Sequence, residues 1–106
     1  MVKNVKNDVR TKSNREREGT KKRVTFKVKA DPGSEVYVTG DFNNWETNKH
    51  KLKDKSNPGH YKGSLLLERN KHYEYKFIIN GNWTVDPACK DWVPNAMGSL
   101  NSIIRT

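Results

Sequence analysis

Cysteine is nearly absent from this chain of 106 residues. With Cys89 alone, no intramolecular disulfide can form and no cluster of thiolates can hold zinc within one chain, which favours a reducing compartment. Long apolar runs are missing as well. Nothing approaches the ~18 residues of a membrane span, and Met1 leads into lysines and asparagines rather than the apolar core of a secretory leader. The chain is expected to be soluble and cytoplasmic, with no membrane partner. Helical periodicity, a phosphate-cradling glycine loop and a Gly-x-Ser-x-Gly elbow are also lacking. His50, His60 and His72 have neither i, i+4 helical spacing nor cysteine companions, so no metal site and no cofactor is expected. Asp41, Glu46 and Asp86 could bring carboxylates near a sugar, but a glycosidase needs a cleft holding two at fixed separation, and a chain this short offers none. The expectation is a binding module, not an enzyme.

The charge divides the chain. Residues 1–23 hold nine Lys or Arg against three Asp or Glu, so six of the net charge of +9 reside there. Apart from Met1 and three valines this stretch has almost no apolar residue, and residues 1–22 are expected to be a disordered basic tail, with residues 23–106 forming one domain. Such a tail could grip phosphate backbones by releasing counterions, which makes nucleic-acid binding an alternative function. Asp8, Glu16 and Glu18 dilute it, however, and no aromatic is interleaved for base stacking, so a solvated leader is the preferred reading. Hydrophobic residues make up only 32% of the chain, so the folded part must build a small core from nearly every aromatic and β-branched residue it has.

Those residues fall in strand patterns. Val24, Phe26, Val28 and Ala30 alternate with Thr25, Lys27 and Lys29, and Asp31-Pro32-Gly33-Ser34 ends the run as a turn. A second strand is expected over residues 36–39, closed by Gly40 ahead of the polar aromatic loop Asp41-Phe42-Asn43-Asn44-Trp45. Residues 46–60 read as a lysine-rich connection, 61–67 as a strand and 68–71 as a turn. In residues 73–79 the set Tyr73, Tyr75, Phe77 and Ile79 alternates with Glu74, Lys76 and Ile78, which sends the first set to the core and Lys76 outward. Asn80-Gly81 is a strong signal for a type I′ hairpin turn, because both central residues need positive φ. After Trp83-Thr84-Val85 and a stop at Asp86-Pro87, an irregular segment is expected through Gly98 and a closing strand over residues 101–105. Short strands with Gly, Pro and Asn punctuation and no helix argue for an antiparallel β-sandwich of immunoglobulin-like shape, with a partly open barrel as the alternative. Phe26, Val28, Val36, Val38, Leu65 and Leu67 complete the expected core.

Two tryptophans stand apart from that core. Tryptophan in a small β-domain is ordinarily buried, yet Trp83 directly follows a tight polar turn and Trp45 sits in a polar loop. Lys76 would by itself be a solvated strand lysine, and Asn101 could simply bond its own backbone at a strand entry. Trp92 lies in Lys90-Asp91-Trp92-Val93-Pro94 and could be a further aromatic platform or a cap over the core; a structural role is preferred.

Four stretches carry a family resemblance: Gly40 with Asp41-Phe42-Asn43-Asn44-Trp45, the run from Tyr75 through Asn80-Gly81-Asn82-Trp83, Asp86-Pro87, and Asn95-Ala96-Met97-Gly98-Ser99-Leu100-Asn101-Ser102-Ile103-Ile104. In order and spacing they resemble the glycogen-binding domain of carbohydrate-binding module family 48, found in β subunits of AMP-activated protein kinase and in the N-terminal modules of branching and debranching enzymes. The resemblance implies an early-set β-sandwich that binds α-1,4-linked glucans without catalysis, attached to or derived from a kinase subunit or glycoside hydrolase. It further implies that Trp45 and Trp83 stack on sugar faces and that Lys76 and Asn101 bond hydroxyls. Met97 stands where an apolar residue reaches into the ring of a helical glucan, and Ser99 where a threonine often occurs.

The chemistry of the residues fits that assignment. A pyranose has an apolar face of C–H groups and a rim of hydroxyls, so its binder needs flat aromatic surface and directional polar groups. Two offset indoles suit a curved α-glucan, whereas flat cellulose favours coplanar rings. Expected partners are an α-glucan and, beyond it, a catalytic domain or kinase. A protein-interaction sandwich that keeps the fold without the sugar site is the rival reading.

Overall fold

The computed structural model describes residues 20–106; the expected tail over residues 1–22 lies outside them as far as residue 19. The described chain forms eight strands: β1 (Lys21–Lys29), β2 (Val36–Gly40), β3 (His50–Leu52), β4 (His60–Glu68), β5 (His72–Ile79), β6 (Asn82–Thr84), β7 (Trp92–Pro94) and β8 (Leu100–Arg105). Between β2 and β3 the described chain makes a 3-10 turn at Asp41–Asn43. All pairings are antiparallel. β1 and β4 pair over nine residues as a small sheet, and β3-β2-β5-β8-β7 form a larger one in which β6 also pairs with β5. The architecture is the expected all-β sandwich.

The core between the sheets follows from the period of two. Val24, Phe26 and Val28 of β1 and Tyr61 and Leu67 of β4 face Val36, Val38, Tyr75 and Phe77 of the larger sheet. Phe26 meets Tyr75 edge-on, with ring centroids 5.0 Å apart at 66°. Leu65, Tyr73 and Ile79, expected in the core, pack only at its margin.

Several local expectations are corrected. β1 begins at Lys21, two residues before the expected onset of order, because Lys21 and Lys22 find partners in Glu68 and Leu67. The connection over residues 46–60 contains β3, and the segment before Gly98 contains β7. Each is three residues long and shows no alternation of its own; pairing with β2 and β8 makes it a strand, so tertiary context overrides the local pattern. β3 buries Leu52, and the Lys53–Lys62 bridge that follows it joins the two sheets along one side. Ile78 and Lys76, assigned to solvent, are both buried. β5 is the middle strand of the larger sheet, flanked on both sides, and Lys76 on its outer face is bonded to Ser99 in the loop before β8.

Asp86 fastens β5 to the segment that follows β6. Its carboxylate accepts hydrogen bonds from the Tyr75 hydroxyl at 2.7 Å and the Ala88 amide at 2.9 Å, and its own amide donates to Ser102 Oγ at 3.2 Å. Burial, then the bond to Asp86, pushes the Tyr75 phenol above its ordinary range. In the unfolded chain a tyrosine ionises near pH 10, so this contribution is complete below that pH and declines as pH rises above it, where only the unfolded chain loses the proton. The melting temperature is expected to fall above about pH 10 more steeply for the parent protein than for Tyr75→Phe, in a pH series of thermal melts.

Gly40 is required by close approach. A Cβ there would lie 2.3 Å from the Glu74 carbonyl oxygen and 2.9 Å from Tyr75 Cβ. Gly40→Ala is expected to cost about 1–3 kcal/mol, measured by denaturant unfolding.

Candidate functional site

The outer face of the larger sheet collects the polar and aromatic residues that the core does not use. Residues directly opposite on paired strands share a face, so Thr39 lies beside Lys76, and Tyr37, Ile78 and Trp83 form a row across β2, β5 and β6. Asn101 pairs with Val93, while Ser102 pairs with the core residue Tyr75, so Asn101 is on the outer face with Lys76.

Trp45 is held at one end of this face by the loop after β2. Asn43 is buried and acts as the hub: its Oδ1 accepts from the Gly40 amide at 3.1 Å and from Thr39 Oγ1 at 3.3 Å, and its Nδ2 lies 3.0 Å from His50 Nδ1. The chain then passes through two left-handed residues, Asn44 at φ 56° and Trp45 at φ 59°, and the Trp45 amide returns to the Gly40 carbonyl at 3.0 Å. Positive φ is an uncommon conformation for a bulky residue and must be enforced by its surroundings. Asp41 enforces it by taking the Trp45 indole N–H on Oδ1 at 3.1 Å and the Glu74 amide on Oδ2 at 2.8 Å, tying the ring to β5. Asp41 and Asn43 thus position Trp45, a role that alternation does not reveal and that only their place in the Asp41-Phe42-Asn43-Asn44-Trp45 loop, rich in groups that bond nearby backbone, signals in the sequence.

Trp83 reaches the same place from the β5–β6 hairpin. Asn80 and Gly81 have φ of 50° and 83°, as a type I′ turn needs. The turn is pinned to Glu35, the residue before β2, by the Asn80 amide to the Glu35 carbonyl at 2.8 Å and the Glu35 amide to Asn80 Oδ1 at 2.9 Å. Trp83 is 51% exposed. Its ring centroid is 6.4 Å from that of Trp45 with the planes 36° apart, so the two indoles form a tilted pair. Beside Trp83 is a hollow of about 280 Å³, to which Tyr37, Thr47 and Ile78 contribute.

A hydrogen-bonded loop forms the other end. Asn95 Oδ1 accepts the amides of Met97 at 2.9 Å and Ser99 at 3.0 Å, and the Asn95 amide donates to the Ser99 carbonyl at 2.8 Å. This closed turn projects Met97, which is 89% exposed. Lys76, only 8% exposed, donates from Nζ to Ser99 Oγ at 2.6 Å. Asn101, 6% exposed, donates from Nδ2 to Glu74 Oε1 at 2.9 Å and accepts from Asn95 Nδ2 at 3.1 Å. The structure thus brings Trp45 to Trp83 and Lys76 to Ser99, and sets Asn101 in the network that shapes the Met97 loop. Asn95 and Glu74, which were not singled out from the sequence, complete that network.

Trp92 is placed elsewhere. It pairs with Ser102, which pairs with Tyr75, so its side chain lies on the core side of the larger sheet. β7 is the edge strand of the larger sheet, and Trp92 is 48% exposed and does not seal the core.

Among the described residues no helix is long and apolar enough to cross a membrane. Residues 23–106 match the family described as the glycogen recognition site of AMP-activated protein kinase. Over 73 residues the chain is 37% identical to the β-1 subunit of 5'-AMP-activated protein kinase from Sus scrofa, covering 69% of this chain and 55% of that sequence. The Homo sapiens β-1 subunit is 37% identical over 73 residues, 69% of this chain and 25% of its own length. The Mus musculus β-2 subunit is 32% identical over 76 residues, 72% of this chain and 26% of its own. The match therefore spans about half of the pig sequence and about a quarter of the other two.

Proposed function

The chain belongs to the family of the glycogen recognition site of AMP-activated protein kinase, and from that premise we propose that it is a non-catalytic module binding α-1,4-linked glucan on the outer face of its larger sheet. The observation that carries this reading is the tilted indole pair, 36° apart and half open to solvent at Trp83. Successive glucose units of a coiled α-glucan present their apolar faces at an angle, and two tilted rings meet two such faces where coplanar rings would meet one.

In this reading Trp45 and Trp83 stack on sugar C–H faces, while Lys76 and Ser99, already hydrogen-bonded to each other, turn their remaining donors and acceptors to hydroxyls. Asn101 has one amide hydrogen and one carbonyl lone pair beyond its two protein partners for the same purpose. Met97, at the tip of its loop, supplies apolar contact to the glucan interior. The site is shallow, so useful affinity comes from several glucose units at once and from repeated engagement on a branched polysaccharide. The same reading puts the module in the cytoplasm, alongside a kinase assembly or an amylolytic catalytic domain.

Co-sedimentation with glycogen and with microcrystalline cellulose tests the reading. Retention on glycogen, release by cyclomaltoheptaose and no retention on cellulose are the expected results. Equal retention on both polysaccharides would contradict it.

A further inference from the structure

A second site lies on the opposite side of the sandwich, on the outer face of the small sheet. There Lys27 of β1 stands directly opposite Lys62 of β4, and Lys62 is bridged in turn to Lys53, with reciprocal backbone hydrogen bonds of 3.0 and 2.9 Å. Directly paired residues point to the same face, so three lysines occupy one row across three adjacent chain segments. All three are exposed. With Lys55 and His60 they line a hollow of about 390 Å³.

Like charges directly opposite each other destabilise a sheet. Carboxylates would ordinarily relieve such a row, but the ion pairs among the described residues are Lys21–Glu68, Lys49–Glu46 and Arg105–Asp91, none of which touches it. The single carboxylate of the hollow, Asp54, accepts the Gly59 amide on Oδ2 at 2.9 Å and so is engaged in shaping its own loop. Among the described residues no ion pair engages the row, and a bound anion would relieve its repulsion.

From this geometry we propose that the hollow binds a soluble ligand with several adjacent phosphate groups. Neighbouring strands are about 4.8 Å apart, so the three ammonium groups span roughly 10 Å, the reach of two or three linked phosphates. Lysine acts on phosphate as a mobile point charge with three donors, and Ser56 and Asn57 add neutral donors at the rim. The lining contains no tryptophan, tyrosine or phenylalanine, and His60 is its one ring, so the phosphates rather than a nucleobase supply most of the recognition. Because this face and the glucan face are the two outer surfaces of the sandwich, both ligands can be held at once.

Calorimetric titration of the full chain with inorganic tripolyphosphate tests it. One saturable event is expected, weakening as salt is raised, with orthophosphate bound about tenfold more weakly or worse because it meets fewer ammonium groups. The triple variant Lys27→Gln, Lys53→Gln, Lys62→Gln should bind tripolyphosphate at least about tenfold more weakly. It should melt no lower than the parent, since repulsion is removed, and should keep its retention on glycogen. Saturating cyclomaltoheptaose should leave tripolyphosphate binding unchanged. Undiminished binding by the folded triple variant, equal affinity for orthophosphate, or displacement by cyclomaltoheptaose would overturn the proposal.

Discussion

A protein carrying both Trp45→Ala and Trp83→Ala is expected to lose nearly all retention on glycogen while remaining folded. A stacked indole that shields on the order of 50–100 Å² of apolar surface contributes about 1–2 kcal/mol. Each single substitution should therefore weaken binding about 5- to 30-fold. The rings are 6.4 Å apart, close enough for the two losses to be non-additive, and the double variant should fall below measurable retention at protein concentrations where each single variant is still partly retained. Trp83 is half exposed, so its loss removes little core. Co-sedimentation beside a thermal melt separates lost binding from lost fold, and undiminished retention by the folded double variant would remove both residues from the site.

Asn43→Ala is expected to damage stability and binding together, although Asn43 touches no sugar in this scheme. The substitution leaves the buried Gly40 amide and Thr39 hydroxyl without their acceptor, and each orphaned buried group costs about 1–3 kcal/mol. The loop that holds Asn44 and Trp45 at positive φ then loses its hub, and Trp45 relaxes toward ordinary backbone geometry. A loss of roughly 2–4 kcal/mol in denaturant unfolding is expected, with glycogen retention reduced even under conditions where the variant is fully folded. A variant as stable as the parent would show that the Asn43 bonds do not hold the loop.

That dependence on Asn43 shows what could and could not be read from the sequence. The long strands were legible because each buries one face: Val24, Phe26 and Val28 announce β1 by alternation alone. β3 was not, since His50-Lys51-Leu52 offers one buried residue and becomes a strand only by pairing with β2. Lys76 was placed on the correct face but given the wrong environment, because alternation assigns a side chain to a face without saying whether a distant loop covers it. Trp45 and Trp83 could be set apart from the core by their polar surroundings. Their mutual tilt was not legible, because it depends on a loop 38 residues away from Trp83 in sequence, anchored through Asp41 to a β5 amide. The four-part network of Glu74, Asn101, Asn95 and Ser99 was equally hidden, because it joins β5 to a loop more than 20 residues later.

The three tryptophans make the central claim directly measurable, since each indole N–H gives its own signal in a proton–nitrogen spectrum. On titration with cyclomaltoheptaose, the Trp45 and Trp83 indole signals should move together and saturate at one concentration, with the Ser99 amide following and Trp92 unmoved. Shifts at Trp92 without Trp45 and Trp83, or shifts confined to β1 and β4, would contradict a glucan site on the outer face of the larger sheet.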